Sequence, residues 1–169
     1  MEDLKQSLQV VYPSLESLSR IECFDMSNLF GGNAVGSMVV LTDGRIDPSQ
    51  YRKFRIRTVS RISDVAMMRE VLTRRLKHME WPLPDLLVLD GGKPQVSAAT
   101  DVLVSLGITL PYLGLAKREE ELIIPRPEGF KTLRLPLSGK AIKVVQRIRD
   151  EAHRFALSYH RKLRSKQFL

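Results

Sequence analysis

Two short, largely apolar runs, each followed at once by an aspartate, constrain this sequence more than any other feature. Ile21–Phe24 leads into Asp25, and the wholly apolar Leu86–Leu89 leads into Asp90. Runs of this length are typical of buried strands, and a strand that is apolar throughout is covered on both faces. A carboxylate at the tip of a buried strand is costly unless a metal, a cation or water receives it. We therefore expect Asp25 and Asp90 to share a site.

The pattern of the whole chain predicts an α/β fold with a mixed five-stranded sheet flanked by helices. Three strands in a meander precede strands that are linked by helices, which favours a mixed sheet in which the first and fourth strands are neighbours. Open α/β sheets place ligand sites at the carboxyl ends of their strands. We predict strands at 21–24, 34–41, 51–59, 86–89 and 111–116, helices at 64–78, 95–105 and 138–164, a hairpin over 121–135, and a helical lead-in segment at 1–18 before a domain spanning 19–166.

Positive charge is concentrated in two blocks. The formal net charge is +8 and the pI about 9.9. Residues 52–78 hold nine Lys and Arg against two acids, and residues 138–169 hold nine against two, so the rest of the chain is net acidic. Such blocks favour a polyanionic partner such as nucleic acid, and the structural alternative is two solvated helix faces.

Two carboxylates that meet at a sheet edge repel each other unless a cation lies between them. Oxygen ligands from a few carboxylates, completed by water, suit Mg²⁺ or Mn²⁺. The structural alternative is that Asp90 and the glycines after it form a turn in which Asp90 caps the next helix. The run Gly91-Gly92-Lys93 also suggests a phosphate loop, but the full G-x-x-x-x-G-K-[ST] pattern is absent, which argues against a nucleotide triphosphate site.

Two further polar residues lie in predicted helices. Asp64 opens the first long helix, where an acid in the first turn stabilises the helix dipole, so a structural role explains it as well. His153 falls about 120° from the centre of the apolar stripe of the final helix, which predicts a solvated face. Arg149, Gln146 and His160 share its side of the helix, so an anionic phosphate could approach there.

The chain has one cysteine, Cys23, which excludes an internal disulfide and is typical of a reducing cytosol. No apolar run approaches the roughly 18–20 residues that span a bilayer. The first residues lack the apolar core of a signal peptide. We therefore expect a cytoplasmic protein with no membrane association.

Taken together, these residues and several longer segments resemble the catalytic C-terminal domain of the UvrC family of nucleotide excision repair nucleases. The segments run in the family's order and cover most of the chain. They are IECFDMS (21–27), GSMVV (36–40), YRKFRIRTV (51–59), LPDLLVLDGGKPQ (83–95), LAKREE (115–120) and RIRDEAHRFALSYHRKLRSK (147–166).

The resemblance implies an RNase H-like fold and a metal-dependent endodeoxyribonuclease, with damaged double-stranded DNA and UvrB as partners. The implied reaction is the incision 5′ to a lesion, after a UvrB–damage complex has formed. It implies a catalytic triad of Asp25, Asp90 and His153, with metal held by the two aspartates and Asp64 at a further acidic position. It also implies a catalytic domain excised from a longer protein that carries helix-hairpin-helix and GIY-YIG units. The family's usual histidine after the FD-x-S motif is Asn28 here.

Several roles stay open at this point. His153 either ligates a second metal or acts in proton transfer. Two rival functions are a non-catalytic RNase H-like scaffold that binds DNA or a repair partner, and a nuclease for RNA–DNA hybrids. The candidate contacts to the DNA backbone are Lys93, Arg149, Arg154, His160 and Arg161.

Overall fold

A single mixed sheet forms the centre of the molecule in the computed structural model, which describes residues 1–27, 34–57, 63–116 and 121–167, with side chains as far as residue 158. The strands are β1 (Arg20–Ser27), β2 (Val35–Thr42), β3 (Arg45–Ile46), β4 (Arg52–Arg55), β5 (Leu86–Leu89), β6 (Tyr112–Ala116), β7 (Glu121–Arg126) and β8 (Gly129–Arg134). The helices are α1 (Glu2–Gln9), α2 (Asp64–Leu76), α3 (Lys93–Leu106) and α4 (Lys140–Gln167). The strand order is β3-β2-β1-β5-β6-β7-β8, and β4 also pairs with β2.

Local sequence signals explain where these elements begin and end. Asp43 and Gly44 have positive φ angles of 49° and 74°, the conformation of a two-residue hairpin turn, and they join β2 to β3. Ser63 caps α2 by accepting a hydrogen bond from the Ala66 amide at 3.3 Å. Gly107 ends α3 in the left-handed region, with φ of 64°.

The two faces of the sheet are covered by different helices. β1 is antiparallel to β2 and parallel to β5, as expected of neighbours joined through a helical crossover. Glu22 on β1 binds Arg75 of α2, whereas Lys53 on β4 contacts Phe155 of α4. Because successive strand residues point to opposite faces, the side chains of β1 that alternate with Glu22, including Asp25, lie on the face that α4 covers.

The predicted mixed α/β fold is confirmed, and the sheet is larger than the five predicted strands. The predicted strands correspond to β1, β2, β4, β5 and β6, and β4 ends at Arg55 in the described part of the chain. The predicted hairpin forms β7 and β8, which extend the same sheet because β7 pairs antiparallel with β6. Asn28 and the loop at 31–32 lie outside the described residues. Within the described residues, no helix is both long enough and apolar enough to cross a bilayer.

The lead-in segment 1–18 packs into the main core. Leu4, Leu8, Val11, Leu15 and Leu18 are all buried there. Helix α1 lies against α4. Tyr12 donates a hydrogen bond of 2.5 Å to the carbonyl of Tyr112 on β6. The core is therefore continuous from the first helix to the last.

One charged pair is completely buried beneath α2. Arg75 belongs to the basic block at 52–78, for which a solvated helix face was one expectation, but its side chain is 0% exposed. Its Nε and Nη2 donate to the carboxylate of Glu22 at 2.9 and 2.7 Å, and Nη2 also donates to the carbonyl of Pro82 at 2.6 Å. Position 75 follows Met68 by seven residues and Val71 by four, so helical phase places it on the buried face of α2. Its partner could not be predicted from phase, because Glu22 lies on a strand 53 residues away. Arg75 therefore does not belong to the basic surface that the charge pattern indicated.

Candidate active site

A cavity of about 210 Å³ opens at the edge of the sheet where β1 and β5 end, and three aspartates line it. Asp25 comes from β1, Asp90 follows β5, and Asp64 is the first residue of α2. The other lining residues are Met26, Gly91, Gly92, Gln95 and Leu115. The structure thus brings together three of the four acidic and basic side chains for which the sequence suggested a catalytic role.

Strand register places Asp25 and Asp90 side by side. The last parallel pair between β1 and β5 is Phe24 with Leu89, and the Asp90 amide donates to the Phe24 carbonyl at 2.9 Å. The expectation that the strand ends at Phe24 was wrong, because β2 continues as an antiparallel partner as far as Ser27. Asp25 therefore stands within β1, at the point where the parallel pairing ends.

The Asp25 side chain is buried and that of Asp90 is half-buried. Asp25 is only 7% exposed. Asp90 has one oxygen, Oδ1, that is buried and accepts no hydrogen bond from the described part of the chain. A buried carboxylate oxygen without a donor is costly, so this arrangement is suited to receiving a cation.

Close backbone packing fixes the turn after Asp90. Gly114 on β6 lies so near that a Cβ there would be 2.5 Å from the Gly91 carbonyl oxygen and 2.6 Å from Cγ2 of Val96 on α3. No side chain fits at Gly114 without moving backbone. Because Gly114 has no side chain, the turn after Asp90 can pack against β6 and lead directly into α3.

Two helices begin at the cavity. Asp64 is in the first turn of α2, and Gly92 is the N-cap of α3. Backbone amides at helix N-termini favour anions, so they complement both the Asp64 carboxylate and a phosphate group nearby. Lys93, a predicted DNA contact, is exposed at the first position of α3 and so adds a cation at this edge.

Helix α4 runs in the same direction as β1, on the face of the sheet opposite to the one that α2 covers. Arg147 donates to the Gly44 carbonyl near the start of β1. Two turns later, the Phe155 ring lies 4.3 Å from Nζ of Lys53, in line with the position of Asp25 along β1. The second half of α4 therefore crosses the sheet at the level of the aspartates.

His153 is exposed, as its helical phase predicted, and it does not line the cavity. At about 100° per residue, His153 projects to the flank of α4 opposite Phe155. Since Phe155 lies over β4, this flank is the one nearer to β5 and Asp90. Arg149, one turn earlier, shares the flank.

The pKa of the buried Cys23 thiol depends on the charged side chains around the site. The pKa of Cys23 is raised well above its ordinary value, chiefly by burial and then by the negative charges of Asp90 and Asp25, whereas Arg149 lowers it. Cys23 is on β1, two residues before Asp25 and on the same face. Arg149 therefore lies within electrostatic range of the region that holds the two aspartates.

The remaining predicted DNA contacts differ in their surroundings. Arg154 is 61% exposed, but it donates from Nε and Nη2 to both oxygens of Glu151, at 2.7 and 2.5 Å. Arg149 lies 3.3 Å from the Asp150 carboxylate. The side chains of His160 and Arg161 lie outside the described residues.

Three residues near the site were missed in the sequence. Gln95 lines the cavity from the first turn of α3, and Ser37 and Lys53 share a row with Asp25 across the sheet. Residues 51–59 were predicted to form a strand, but the sequence of this strand does not show which of its faces meets the aspartates. Register between strands supplies that information, and register cannot be deduced from one strand alone.

The donor set fits a hard divalent cation with few protein ligands. Within the described residues, no three side chains of His, Cys, Asp or Glu form a cluster that could hold a metal by themselves. Mg²⁺ commonly binds through one or two carboxylates, with waters and substrate phosphate completing its octahedron. Asp25 and the unsatisfied Oδ1 of Asp90 meet that requirement.

Comparison with known proteins finds a match to one family. A family model described as the UvrC RNase H endonuclease domain matches residues 12–157. UvrABC system protein C of Chlorobium phaeobacteroides is 50% identical over 154 residues, covering 89% of this chain and 24% of that protein. The same protein of Methanococcoides burtonii is 45% identical over 172 residues, covering 96% of this chain and 28% of its own length. The chain thus spans about a quarter of these relatives.

Among solved structures, endonuclease V of Ciona intestinalis, in complex with DNA that contains inosine, aligns with a TM-score of 0.44. The alignment covers 63% of this chain and 50% of that protein at 17% identity.

Proposed function

Because the chain belongs to the UvrC RNase H endonuclease domain family, we propose that it is a metal-dependent DNA endonuclease. The observation that carries this proposal is the pair Asp25 and Asp90, fixed by backbone pairing at one cavity and largely shielded from water. Few structural roles need a buried and a half-buried carboxylate side by side, since they repel each other without a cation.

Asp25 and Asp90 are the residues that would hold Mg²⁺ or Mn²⁺. When bound, such an ion supplies charge stabilisation for the phosphate and lowers the pKa of a bound water. β1 and β5 hold the two carboxylates side by side, so their oxygens are positioned before an ion binds. The third aspartate, Asp64, adds negative charge at the start of α2, where the helix amides offset it.

His153 and Arg149 would act from α4 on the open side of the site. The imidazole of His153 would exchange a proton with the leaving oxygen. Arg149 is always charged and can pair with a phosphate oxygen. Because both side chains occupy one flank of α4, DNA would lie between this helix and the carboxyl edge of β1 and β5.

The substrate we propose is damaged double-stranded DNA, cut 5′ to the lesion with UvrB as partner. This follows from membership in the family and from the net charge of +8. Lys93, Arg149, Arg154, His160 and Arg161 would contact the backbone, which gives affinity without sequence preference.

The test compares two substitutions that each remove one negative charge. Asp25→Asn should abolish Mn²⁺-dependent cleavage of a lesion-bearing duplex and weaken Mn²⁺ binding measured by calorimetry. Asp3→Asn, on the exposed surface of α1, should change neither. The melting temperatures of both variants are measured in parallel. Equal cleavage by wild type and Asp25→Asn would refute the proposal.

The same experiment separates the rival functions. A non-catalytic scaffold would bind the duplex and release no product with either protein. A hybrid nuclease would cleave RNA–DNA duplexes faster than lesion-bearing DNA, so both substrates are included.

A further inference from the structure

The side chain of Gln95 lies at the cavity that the three aspartates share. Gln95 is the third residue of α3, and it lines this cavity together with them. Its side chain is half-buried. The amide forms no hydrogen bond with any residue that the structure describes. The cavity therefore contains a neutral polar group whose N–H donors are available to a ligand.

The turn after Asp90 leaves room for this amide. A Cβ added at Gly91 would lie 2.5 Å from both Cγ and Cδ of Gln95, and 2.8 Å from its Oε1. The side chain of Gln95 therefore folds back over the Cα of Gly91, the residue that directly follows Asp90. Gly91 does not adopt a positive φ angle, so its backbone conformation does not require glycine. The missing side chain instead gives the Gln95 amide its place beside Asp90.

Capping of α3 does not explain this side chain. A glutamine at the third position of a helix commonly returns to the backbone N–H of the N-cap residue. The N-cap of α3 is Gly92, and within the described part of the chain Gln95 forms no hydrogen bond with it. Further along α3, the Thr100 hydroxyl donates to the Val96 carbonyl at 3.0 Å and is thus satisfied within the helix. Gln95 differs from this hydroxyl, because its polar group faces the cavity.

A neutral donor is suited to a cavity that three carboxylates line. A lysine or arginine at position 95 would pair with these carboxylates, and its charge would compete with a divalent cation for them. An amide donates hydrogen bonds without adding charge. A phosphate that enters the cavity is itself an anion, and hydrogen bonds to charged groups are stronger than those between neutral groups.

We propose that the Gln95 amide donates a hydrogen bond to a non-bridging oxygen of the phosphate that is cut. This inference rests on the proposed nuclease function, which places the reacting phosphate at Asp25 and Asp90. A donor that is already in position stabilises the charge on a reacting phosphate without reorganisation. α3 thus contributes a donor to a site whose carboxylates come from β1, α2 and the residue after β5.

The first experiment combines Gln95→Met with sulfur substitution in the DNA. This change keeps the length of the side chain and removes its donors. The matched control is Gln6→Met, an exposed glutamine on α1, which begins beside Gly44 at the opposite end of β1 from Asp25. The lesion-bearing duplex carries a phosphorothioate at the mapped cut site, with its diastereomers separated, so that sulfur replaces one non-bridging oxygen at a time. Cleavage in Mn²⁺ is measured for each combination, with Mn²⁺ affinity and melting temperature in parallel.

We expect Gln95→Met to slow cleavage of the unmodified duplex by about 100-fold, as for the loss of one preorganised donor to a reacting group. Its Mn²⁺ affinity and melting temperature should not change. For one diastereomer, sulfur should slow wild type and Gln6→Met about tenfold more than Gln95→Met, because sulfur is a weak acceptor and the variant has no hydrogen bond to lose. Equal effects of sulfur on wild type and Gln95→Met, for both diastereomers, would overturn the inference. So would a loss of Mn²⁺ affinity, which would make Gln95 part of the metal site instead.

A second measurement does not depend on cleavage. The side-chain amide signals of Gln95 are assigned in isotope-labelled protein by their absence from the NMR spectrum of Gln95→Met. The duplex is then added with Ca²⁺, which oxygen ligands also bind. A hydrogen bond to phosphate should move the Gln95 amide proton signals downfield, while those of Gln6 stay in place. Gln95 signals that do not move while other signals report duplex binding would contradict the inference. Failure of the nuclease proposal appears separately, as absence of cleavage by wild type in Mn²⁺.

Discussion

Disruption of the buried pair between Glu22 and Arg75 should be among the most damaging changes to this protein. Both side chains are 0% exposed. Removal of one partner leaves the other charge buried, which typically costs about 3–5 kcal/mol. The two single substitutions should not be equal. After Arg75→Met, Glu22 still accepts from Arg20 Nε at 2.9 Å. After Glu22→Leu, Arg75 retains, among the described residues, the Pro82 carbonyl at 2.6 Å and the Trp81 ring at 5.5 Å.

We therefore expect Arg75→Met to cost about 3 kcal/mol and Glu22→Leu about 5 kcal/mol, the two ends of the measured range for buried pairs. For a chain of this size, 1 kcal/mol shifts the melting temperature by about 2–4 °C. The single variants should thus melt roughly 6–20 °C below wild type. The double variant should recover most of the loss, because a buried ion pair replaced by apolar groups of similar volume is often neutral.

The assay is urea denaturation followed by circular dichroism, with all four proteins of the double-mutant cycle measured under one condition. The coupling free energy should be large and of opposite sign to the single losses. Strictly additive losses would refute the reasoning, as would single losses below about 1 kcal/mol, since either result would mean that the two charges are solvated or act independently.

Three further changes test other parts of the structure. Leu8→Ala should cost about 2–5 kcal/mol, because Leu8 is 0% exposed in the main core; a loss under about 0.5 kcal/mol in denaturant would show that the lead-in segment is only loosely attached. Gly114→Ala should destabilise by about 1–3 kcal/mol through its contact with the Gly91 carbonyl, and an unchanged melting temperature would contradict that packing. The hydrogen bond from Arg154 lowers the pKa of Glu151, so Glu151 stabilises the fold above its unfolded pKa of about 4.3, and this contribution is lost as the pH falls through the lower folded value. Glu151→Gln should therefore flatten the fall in melting temperature between pH 5 and pH 3, relative to wild type, and an unaltered acid limb would refute the assignment.

The sequence predicted the parts of the fold that depend on local signals. β5 was predicted at its observed bounds because four apolar residues stand between a proline-rich turn and Asp90. The start of α2 was predicted at Asp64, where Ser63 caps the helix, and the exposure of His153 followed from helical phase. In each case the determining interaction lies within a few residues along the chain.

Features that depend on distant partners could not be predicted in this way. β1 extends to Ser27 because β2 accompanies it, and the hairpin joins the sheet because β6 offers an edge. The cavity was foreseen in its two aspartates but not in Gln95. The alternation of residues in β1 does not show which helix covers which face of the sheet. The sequence of β1 alone therefore could not predict that Asp25 lies on the face covered by α4 and not on the face covered by α2.

The register between β1 and β5 also limits which changes of length the gene can tolerate. An insertion or deletion of one residue between Ile21 and Asp25 would turn every later side chain of β1 to the other face. An insertion would place Phe24, and a deletion Met26, beside Asp90 in the position of Asp25, and in both cases the carboxylate would turn to the face that α2 covers. The number of residues between Ile21 and Asp25 therefore decides which face of the sheet Asp25 occupies. Substitutions can accumulate along β1, but this number of residues must stay constant.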